Sequence, residues 1–227
     1  MMKRDCEYQS SQNPRGGGIK EYQRQVTCTP YELEDLQEIQ ERRIYLFGEI
    51  NASDREDLPL EDKMNVSMVV RLIVKFNRED AGVEIEKRKP IKIYINSPGG
   101  EVYEGFPLIS AIELSKTPVY TYNVGQWSSM AFLIGITGHK RFSLPNMMFL
   151  MHDGSDFMYG SSGKVQDEAK FRERYERDVI RAHILRHSRM KETEYEILNR
   201  VEYYMLPDDA LSHGFIDVVV SDIDEVI

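Results

Sequence analysis

The chain has 227 residues, of which 41% are hydrophobic and 30% are charged. This balance is typical of one globular domain and excludes a wholly disordered chain. The formal net charge of −9 argues against nucleic acid as the main partner. The longest apolar runs fall far short of the roughly 18 residues of a membrane span, and no apolar segment of a secretory signal follows the first residues. We therefore expect a cytoplasmic protein that contacts no membrane.

Only two cysteines occur, Cys6 and Cys28, and neither lies in a CxxC pair or a Cys/His cluster. A disulfide framework and a zinc site are therefore both poor explanations of them. Residues 1–28 are polar and without a hydrophobic period, which predicts a flexible N-terminal arm. Residues 29–227 are predicted to form a single domain. Its first helix is expected at Thr29, where threonine, proline and glutamate form the pattern of a capping box.

Strands and helices alternate along the predicted domain. The strands are predicted from short apolar or alternating runs, at Ile44–Phe47, Ile91–Ile95, Pro118–Val124, twice within Phe142–His152, and at Phe215–Val220. The helices are predicted from apolar residues three and four apart, at Met64–Phe76, 103–115, from about Ser129, 164–190, 193–200, and between Pro207 and Gly214. The notable connections are a polar, acidic loop at 51–62, a charged connection at 77–90 and a tight turn at Gly125-Gln126. This alternation predicts an α/β fold with crossover connections.

A glycine-rich turn, Asn96-Ser97-Pro98-Gly99-Gly100, follows the second predicted strand. Two adjacent glycines let the backbone approach a ligand closely, and consecutive N–H groups there could stabilise an oxyanion. A tight strand-to-helix turn without chemistry explains the same residues. The glycine pair alone is therefore a weak signal.

A serine pair lies at the next strand-to-helix turn, within Gly125-Gln126-Trp127-Ser128-Ser129-Met130-Ala131. A serine at a helix N-terminus is close to the positive end of the helix dipole and to free N–H groups, which stabilise a developing negative charge. This resembles the logic of a nucleophile elbow without its GxSxG sequence. The simpler alternative is that Ser128 or Ser129 only caps the helix.

His152 ends a strongly apolar strand and opens a glycine-containing loop, a place where catalytic groups of α/β proteins often lie. A satisfied structural histidine is the alternative. The other four histidines lie in less suggestive settings: His139 in a polar turn and His213 at the end of a short helix. His183 and His187 are spaced i, i+4 and could bind a metal in principle, but no glutamate or third ligand nearby in the sequence completes a motif. We therefore expect no metal site.

Four segments together resemble the Clp protease proteolytic subunit family, ClpP, and the resemblance runs from about Arg43 to Val220. Each segment alone is modest, but four in the same order are highly specific. In chain order they are Tyr94–Gly100 (similar to YINSPGG), Gly125–Leu133 (similar to GQAASMGAFLL), Lys140–Asn146 (similar to KRFxLPN) and Met151-His152. The resemblance implies a ClpP/crotonase-like α/β fold of stacked ββα units, in which the helix at 164–190 is a protruding handle.

The resemblance also implies a serine-type endopeptidase with a Ser-His-acid triad and no cofactor. Position by position, Ser129 takes the place of the nucleophile and His152 that of the general base. Glu202 takes the place of the family's aspartate, although its extra methylene shifts the carboxylate, and Asp208 and Asp209 are nearby alternatives.

Further positions follow from the same resemblance. Gly100 and Met130 would supply the backbone N–H groups of the oxyanion hole. The residues expected at the substrate are Gly99, Trp127, Asp153 and Gly154. Trp127 replaces a small residue of the family, so it is expected either to narrow the pocket or to pack beneath it.

The resemblance implies partners as well. Subunits would associate into heptameric rings, stacked in pairs, and would cleave unfolded polypeptides delivered by a separate AAA+ unfoldase. That partner would consume the ATP, since the chain has no GxxxxGK[ST] phosphate-binding loop. Two alternatives share the fold: a crotonase-like acyl-CoA enzyme and a non-catalytic ring subunit. The presence of both a serine and a histidine favours acyl transfer through a covalent intermediate over the acyl-CoA chemistry.

Overall fold

The structure is a computed structural model, and it describes residues 30–51, 65–154 and 158–226. The chain clusters into two compact units, Met1–Glu41 and Arg42–Ile227. In the first unit, helix α1 (Pro30–Gln40) begins at the proline of the predicted capping box. Its expected cap, Thr29, and the expected arm, residues 1–28, lie outside the described residues. The predicted boundary between arm and domain therefore stays a prediction.

The second unit is built on a 7-stranded sheet, as the predicted α/β alternation requires. Its strands are β1 (Arg43–Phe47), β2 (Ile91–Ser97), β3 (Val119–Ser128), β4 (Lys140–Ser143), β5 (Met148–Met151), β6 (Tyr203–Met205) and β7 (Val218–Val219). The spatial order is β1-β2-β3-β4-β7, with every pair along this path parallel. β5 branches from the path, because it pairs in parallel with β3 and antiparallel with β6. The predicted fold class is confirmed.

Seven helices of the described part follow α1. They are α2 (Val66–Glu79), α3 (Val102–Leu114), α4 (Met130–Ile136), α5 (Ser162–Tyr175), α6 (Ala182–Arg186), α7 (Glu192–Leu198) and α8 (Pro207–Ser212). The predicted helix starting at Met64 begins two residues later, because the Asn65 side chain accepts a hydrogen bond from the Met68 amide at 3.0 Å and caps α2. Helix α4 is buried along its whole length, which accounts for its uniformly apolar sequence.

The predicted long helix at 164–190 is confirmed over 162–186 as α5, a π-helical turn at Glu176–Arg181, and α6. No residue of α5 is buried in this chain. The hydroxyl of Tyr195 on α7 donates a hydrogen bond of 2.6 Å to Glu176, at the start of the π-helical turn. Among the residues that the structure describes, no helix combines the length and the apolar character that crossing a bilayer requires.

Two details of the sequence prediction were wrong. The tight turn expected at Gly125-Gln126 is absent, because β3 continues to Ser128. Its first half pairs with β4 and its last residues with β5. At this change of partner, side-chain oxygens of Asn123 and Asn96 accept hydrogen bonds from the Gly125 and Gln126 amides at 3.1 and 3.2 Å, so these amides stay satisfied within the strand. The closing strand is also shorter than expected, since only Val218–Val219 pairs with β4.

A buried ion pair joins the start of β1 to the end of α2. Arg42 donates hydrogen bonds to both carboxylate oxygens of Asp80, at 2.7 and 2.8 Å, and the Thr117 hydroxyl donates a third at 2.7 Å. The Arg42 guanidinium holds the pKa of Asp80 below its usual range. This network ties three separate segments at the end of the sheet opposite the candidate site.

Candidate active site

The topology of β3, β5 and β6 brings three sequence-distant residues to one edge of the sheet. Ser129 directly follows β3, His152 follows β5, and Glu202 precedes β6. β5 runs parallel to β3, with Ser128 opposite Leu150, so both strands end at the same edge. β6 runs antiparallel to β5, so the start of β6 meets the end of β5. Local sequence signals suggest the first two residues and the family resemblance suggests the third, and the antiparallel pairing of β6 with β5 brings that third residue to the same edge.

Ser129 adopts an unusual backbone conformation, with φ 54° and ψ −122°. This region favours glycine, and a residue with a Cβ is held there at a cost of about 1–3 kcal/mol. The Ser129 amide donates to the Leu150 carbonyl at 3.0 Å, which fixes the turn against β5. The side chain makes no capping hydrogen bond to α4, so the simple N-cap explanation does not account for it.

Ser128 is in a different setting from its neighbour. Its side chain is almost fully buried, with a residue exposure of 3%, and its hydroxyl donates to the Gln126 side-chain oxygen at 3.2 Å. Ser129 is half-buried. Of the two serines, Ser129 is therefore the more accessible, and its hydroxyl makes no hydrogen bond to the described residues.

His152 and Glu202 are in direct contact, with 3.3 Å between Nδ1 of the imidazole and Oε1 of the carboxylate. The His152 side chain is 18% exposed, whereas that of Glu202 is 57% exposed. The Tyr204 hydroxyl donates to the other carboxylate oxygen at 3.3 Å. Nε2 of His152 is buried and has no hydrogen-bond partner among the described residues. The ring thus has one nitrogen directed to an acid and the other uncommitted.

The glycine pair packs against the serine turn. A Cβ placed on Gly99 would lie 2.5 Å from the Ser128 carbonyl oxygen and 2.7 Å from the Ser129 Cβ, so only glycine fits there. Gly99 also has φ 95° and Gly100 has φ 145°, conformations that side chains disfavour. The turn between β2 and α3 therefore contacts the turn between β3 and α4.

Two backbone N–H groups near these turns have no hydrogen-bond acceptor within the described part of the chain. The bridge between Ile50 and Gly100 uses the Gly99 carbonyl and the Glu101 amide, which leaves the Gly100 N–H outside it. Met130 is the first residue of α4, and an N–H group in the first turn has no intrahelical acceptor. Both expected oxyanion donors therefore lie in segments that leave their N–H groups available.

Gly99, one of the four expected substrate residues, is buried against the serine turn, and the other three divide into two groups. Asp153 and Gly154 are exposed in the loop after His152, as a substrate contact requires. Trp127 is fully buried and packs edge-on against Phe149, with ring centroids 5.5 Å apart. The ring extends from β3 toward α4 and lies against Gly135 of that helix. Packing beneath the site therefore replaces the expected contact of Trp127 with substrate.

The two alternative acids lie in the first turn of α8. Asp208 is exposed, and the side chain of Asp209 accepts a hydrogen bond from the Leu206 amide at 3.0 Å. This capping contact and the favourable position near a helix N-terminus account for Asp209 without a catalytic role. Glu202 is the carboxylate that contacts His152.

The expectation that no third ligand joins His183 and His187 was wrong. Glu113, at the end of α3, lies 3.1 Å from Nε2 of His187 and 3.6 Å from Nδ1 of His183. Burial lowers the pKa of His183 to about 4. Burial alone would raise the pKa of Glu113, but its hydrogen bonds to His187 and Arg186 outweigh burial and hold that pKa below its usual value. A spacing of 74 residues between Glu113 and His187 hid this cluster from a search for local motifs.

The other two histidines have structural partners, in keeping with their settings in the sequence. Nδ1 of His139 accepts a hydrogen bond from the Val119 amide at 3.0 Å. Nε2 of His213 lies 2.9 Å from the Tyr203 hydroxyl. These contacts account for both side chains without a catalytic role.

Comparison with known proteins identifies the family of the chain. The Clp protease family profile matches residues 80–222, which include Ser129, His152 and Glu202. The chain is 30% identical over 164 residues to an ATP-dependent Clp protease proteolytic subunit from Deinococcus radiodurans, covering 71% of this chain and 76% of that protein. The chain belongs to the Clp protease family. The family resemblance predicted from four sequence segments is therefore confirmed.

A solved structure supports the fold of this Clp protease family member independently. A point mutant of ClpP1 from Listeria monocytogenes superimposes with a TM-score of 0.67. The match covers 86% of this chain and 99% of that one, at 21% sequence identity. At this identity the likeness establishes the ClpP-like α/β fold alone.

Proposed function

We propose that this Clp protease family member is a serine endopeptidase subunit. Ser129 is the nucleophile, His152 the general base, and Glu202 the acid that orients the imidazole. The observation that carries the proposal is the pairing of a strained, accessible serine with a histidine whose Nδ1 contacts a carboxylate at 3.3 Å. A nucleophile held on a sharp strand-to-helix turn and a base oriented by a third group are the two features that covalent acyl transfer needs.

The proposed reaction proceeds in two halves. Nε2 of His152 takes the proton from Ser129 Oγ as that oxygen attacks the peptide carbonyl, and the N–H groups of Gly100 and Met130 stabilise the oxyanion. Each such donor contributes about 3–4 kcal/mol in comparable enzymes. His152 then gives the proton to the leaving amine, and the carbonyl is left as an ester on Ser129. Water, deprotonated by His152, hydrolyses the ester and restores the hydroxyl.

The uncommitted Nε2 of His152 has two interpretations. For the catalytic proposal, it is the nitrogen that must be free to accept the serine proton, and such hydrogen bonds often shorten only when substrate binds. For a non-catalytic ring subunit, the missing hydrogen bond would be permanent. This observation is the reason to keep the second function as an outcome of the test.

A fluorophosphonate probe separates these functions, because it labels only an activated serine. We expect wild type to be labelled, Ser129→Ala to lose labelling, and Ser128→Ala to keep most of it. Ser128 is the matched control, since it is the same residue type one position earlier and its hydroxyl is bound to Gln126. Unlabelled wild type, with a protein that is folded by circular dichroism, would support the non-catalytic function. Labelling that survives Ser129→Ala would remove Ser129 from the mechanism.

We also propose that the subunit acts in a heptameric ring or a stacked pair of rings. The support is family membership and the largely exposed helix α5, whose Phe171 side chain is among its exposed apolar groups. Assembly into rings would bury such groups between subunits. Light scattering at micromolar protein should give the mass of a ring, and a stable monomer would contradict the proposal.

The proposed partner is a separate AAA+ unfoldase that binds the ATP. Stacked rings would enclose the active sites in a chamber that folded proteins are too large to enter. The purified subunit should therefore cleave short unfolded peptides but not a folded protein. Addition of a competent unfoldase and ATP should be needed for the folded substrate. Rapid digestion of a folded protein by the subunit alone would refute this part of the proposal and leave the peptidase assignment intact.

A further inference from the structure

Glu113, His183 and His187 form a three-residue cluster at the base of the handle, away from Ser129. One ligand atom from each residue lies within 4.8 Å of the others. Glu113 is in the last turn of α3, His183 is on α6, and His187 directly follows α6. The cluster is therefore carried by the last turn of α3, by α6 and by the residue that caps the C-terminus of α6.

The hydrogen bonds of His183 leave the correct nitrogen free for a metal. Nε2 lies 3.1 Å from the Leu133 carbonyl oxygen, and a carbonyl only accepts, so Nε2 carries the proton. The proton-free nitrogen is then Nδ1, which faces Glu113 at 3.6 Å. A metal-binding histidine almost always donates its other N–H to such an oxygen, which fixes the tautomer and the orientation of the ring.

A cationic side chain already lies beside two of these ligands. A guanidinium nitrogen of Arg186 lies 2.7 Å from Oε1 of Glu113 and 3.5 Å from Nδ1 of His183. The Arg186 guanidinium donates to the Glu113 carboxylate and lies beside the lone pair of His183 Nδ1, so it holds a place that a metal cation would compete for. The Arg186 side chain is 59% exposed, so it can leave this position for solvent.

We propose that Glu113, His183 and His187 bind a divalent transition metal of the zinc class. In a tetrahedral zinc site with bonds of 2.0–2.1 Å, neighbouring ligand atoms are about 3.4 Å apart. The separations of 3.1 and 3.6 Å from the Glu113 oxygen bracket that value. Imidazole and carboxylate ligands suit zinc, cobalt and nickel.

The fourth coordination position would face solvent. Glu113, Arg186 and His187 border a cavity of about 700 Å³, which leaves room for a water molecule or a ligand from outside. Three protein ligands with an open position differ from a closed structural site of four. The site is also linked to α4, because His183 contacts the Leu133 carbonyl and lies 3.1 Å from the Thr137 hydroxyl.

Cobalt titration of the tag-free full chain tests the proposal, because tetrahedral Co²⁺ absorbs visible light and octahedral aqueous Co²⁺ hardly does. The background is Cys6→Ser/Cys28→Ser, so that thiolates do not compete for the metal. We expect one Co²⁺ per chain, displaced by Zn²⁺, and at least about tenfold weaker binding in His187→Ala and in Glu113→Gln. His213→Ala is the control histidine and should bind as the background does.

Arg186→Ala gives a prediction of opposite sign. Removing the competing guanidinium should tighten Co²⁺ binding severalfold, and an exposed side chain can be removed without loss of the fold. Weaker binding in Arg186→Ala would overturn the proposal. Absence of the visible band in the background protein, or equal affinity in all variants, would also overturn it. Either of the last two outcomes would mean that the cluster is an ion-pair network only.

Discussion

Glu202→Gln tests how much the third member of the candidate triad contributes. The carboxylate lies 3.3 Å from Nδ1 of His152, where two unit charges attract by about 1.3 kcal/mol in water and about 5 kcal/mol at an effective dielectric constant of about 20. The Glu202 side chain is 57% exposed, which places it near the aqueous limit. Exposed ion pairs contribute about 0.2–1 kcal/mol, and 1 kcal/mol corresponds to about a fivefold change in rate.

We therefore expect kcat/KM on a short peptide to fall by only about three- to tenfold in Glu202→Gln, once some loss of ring orientation is included. A buried triad aspartate behaves differently, since replacing it with the amide lowers kcat by about four orders of magnitude. The assay is peptide hydrolysis with a fluorogenic substrate, at matched concentrations of labelled active sites. Asp208→Asn is the charge-matched control, because Asp208 is exposed in the first turn of α8, and it should hydrolyse peptide as wild type does.

Two results would refute the reasoning. A fall of more than about a hundredfold in Glu202→Gln would mean that exposure does not limit the effect of the carboxylate, as if assembly or substrate buried it. An unchanged kcat/KM would mean that the 3.3 Å contact has no influence on His152 during the reaction.

Two further predictions concern the serine turn, and a third concerns the ion pair at the opposite end of the sheet. Ser129→Gly should be more stable in urea than Ser129→Ala by about 1 kcal/mol, since only alanine keeps a Cβ at φ 54°; equal midpoints would mean that the turn is unstrained. Gly99→Ala should lose fluorophosphonate labelling, because its Cβ would come within 2.7 Å of the Ser129 Cβ, and a folded variant that labels normally would contradict the close packing. Asp80→Ala should lower the free energy of unfolding by about 1–3 kcal/mol at pH 7, because the partly buried Arg42 guanidinium loses its carboxylate partner while keeping its hydrogen bond to the Lys89 carbonyl. The lowered pKa of Asp80 means that its contribution is present above the unfolded value of about 3.9 and is lost as the pH falls further, so urea midpoints of this variant and wild type should converge in acid.

The local parts of the fold could be predicted from the sequence because each rests on a short-range signal. Alternation over Ile91–Ile95 and helical spacing over Met64–Phe76 locate β2 and α2 to within a few residues. The positions of Ser129 and His152 at strand ends follow from the same local signals. An α/β layer then places those ends at one edge, as the structure does.

The remaining features depend on contacts between segments far apart in the chain. The switch of β3 from β4 to β5 has no local signature, so its glycine suggested a turn instead of a continuing strand. Trp127 is buried because its ring extends from β3 toward α4. The size of the residue alone does not predict this direction. Glu113 joins His183 and His187 only because α3 and α6 are brought together by the fold.

Glu202 is less constrained by the surrounding structure than Ser129 and His152 are, and this difference leads to a last prediction. Ser129 and His152 follow β3 and β5, whose side chains Trp127 and Phe149 are fully buried. Glu202 precedes β6, which among the described strands pairs only with β5. An exposed charge pair is screened by salt, with a Debye length of about 10 Å at 0.1 M and about 3 Å at 1 M. The ratio of kcat/KM between wild type and Glu202→Gln should therefore shrink toward one as salt is raised from 0.05 to about 1 M. Fluorophosphonate labelling of Glu202→Gln itself should stay constant over the same range, because Ser129 and His152 are fixed by backbone pairing and buried rings. A ratio that does not change with salt would show that Glu202 acts through a shielded contact, in which case exposure in the isolated subunit is the wrong guide to its strength.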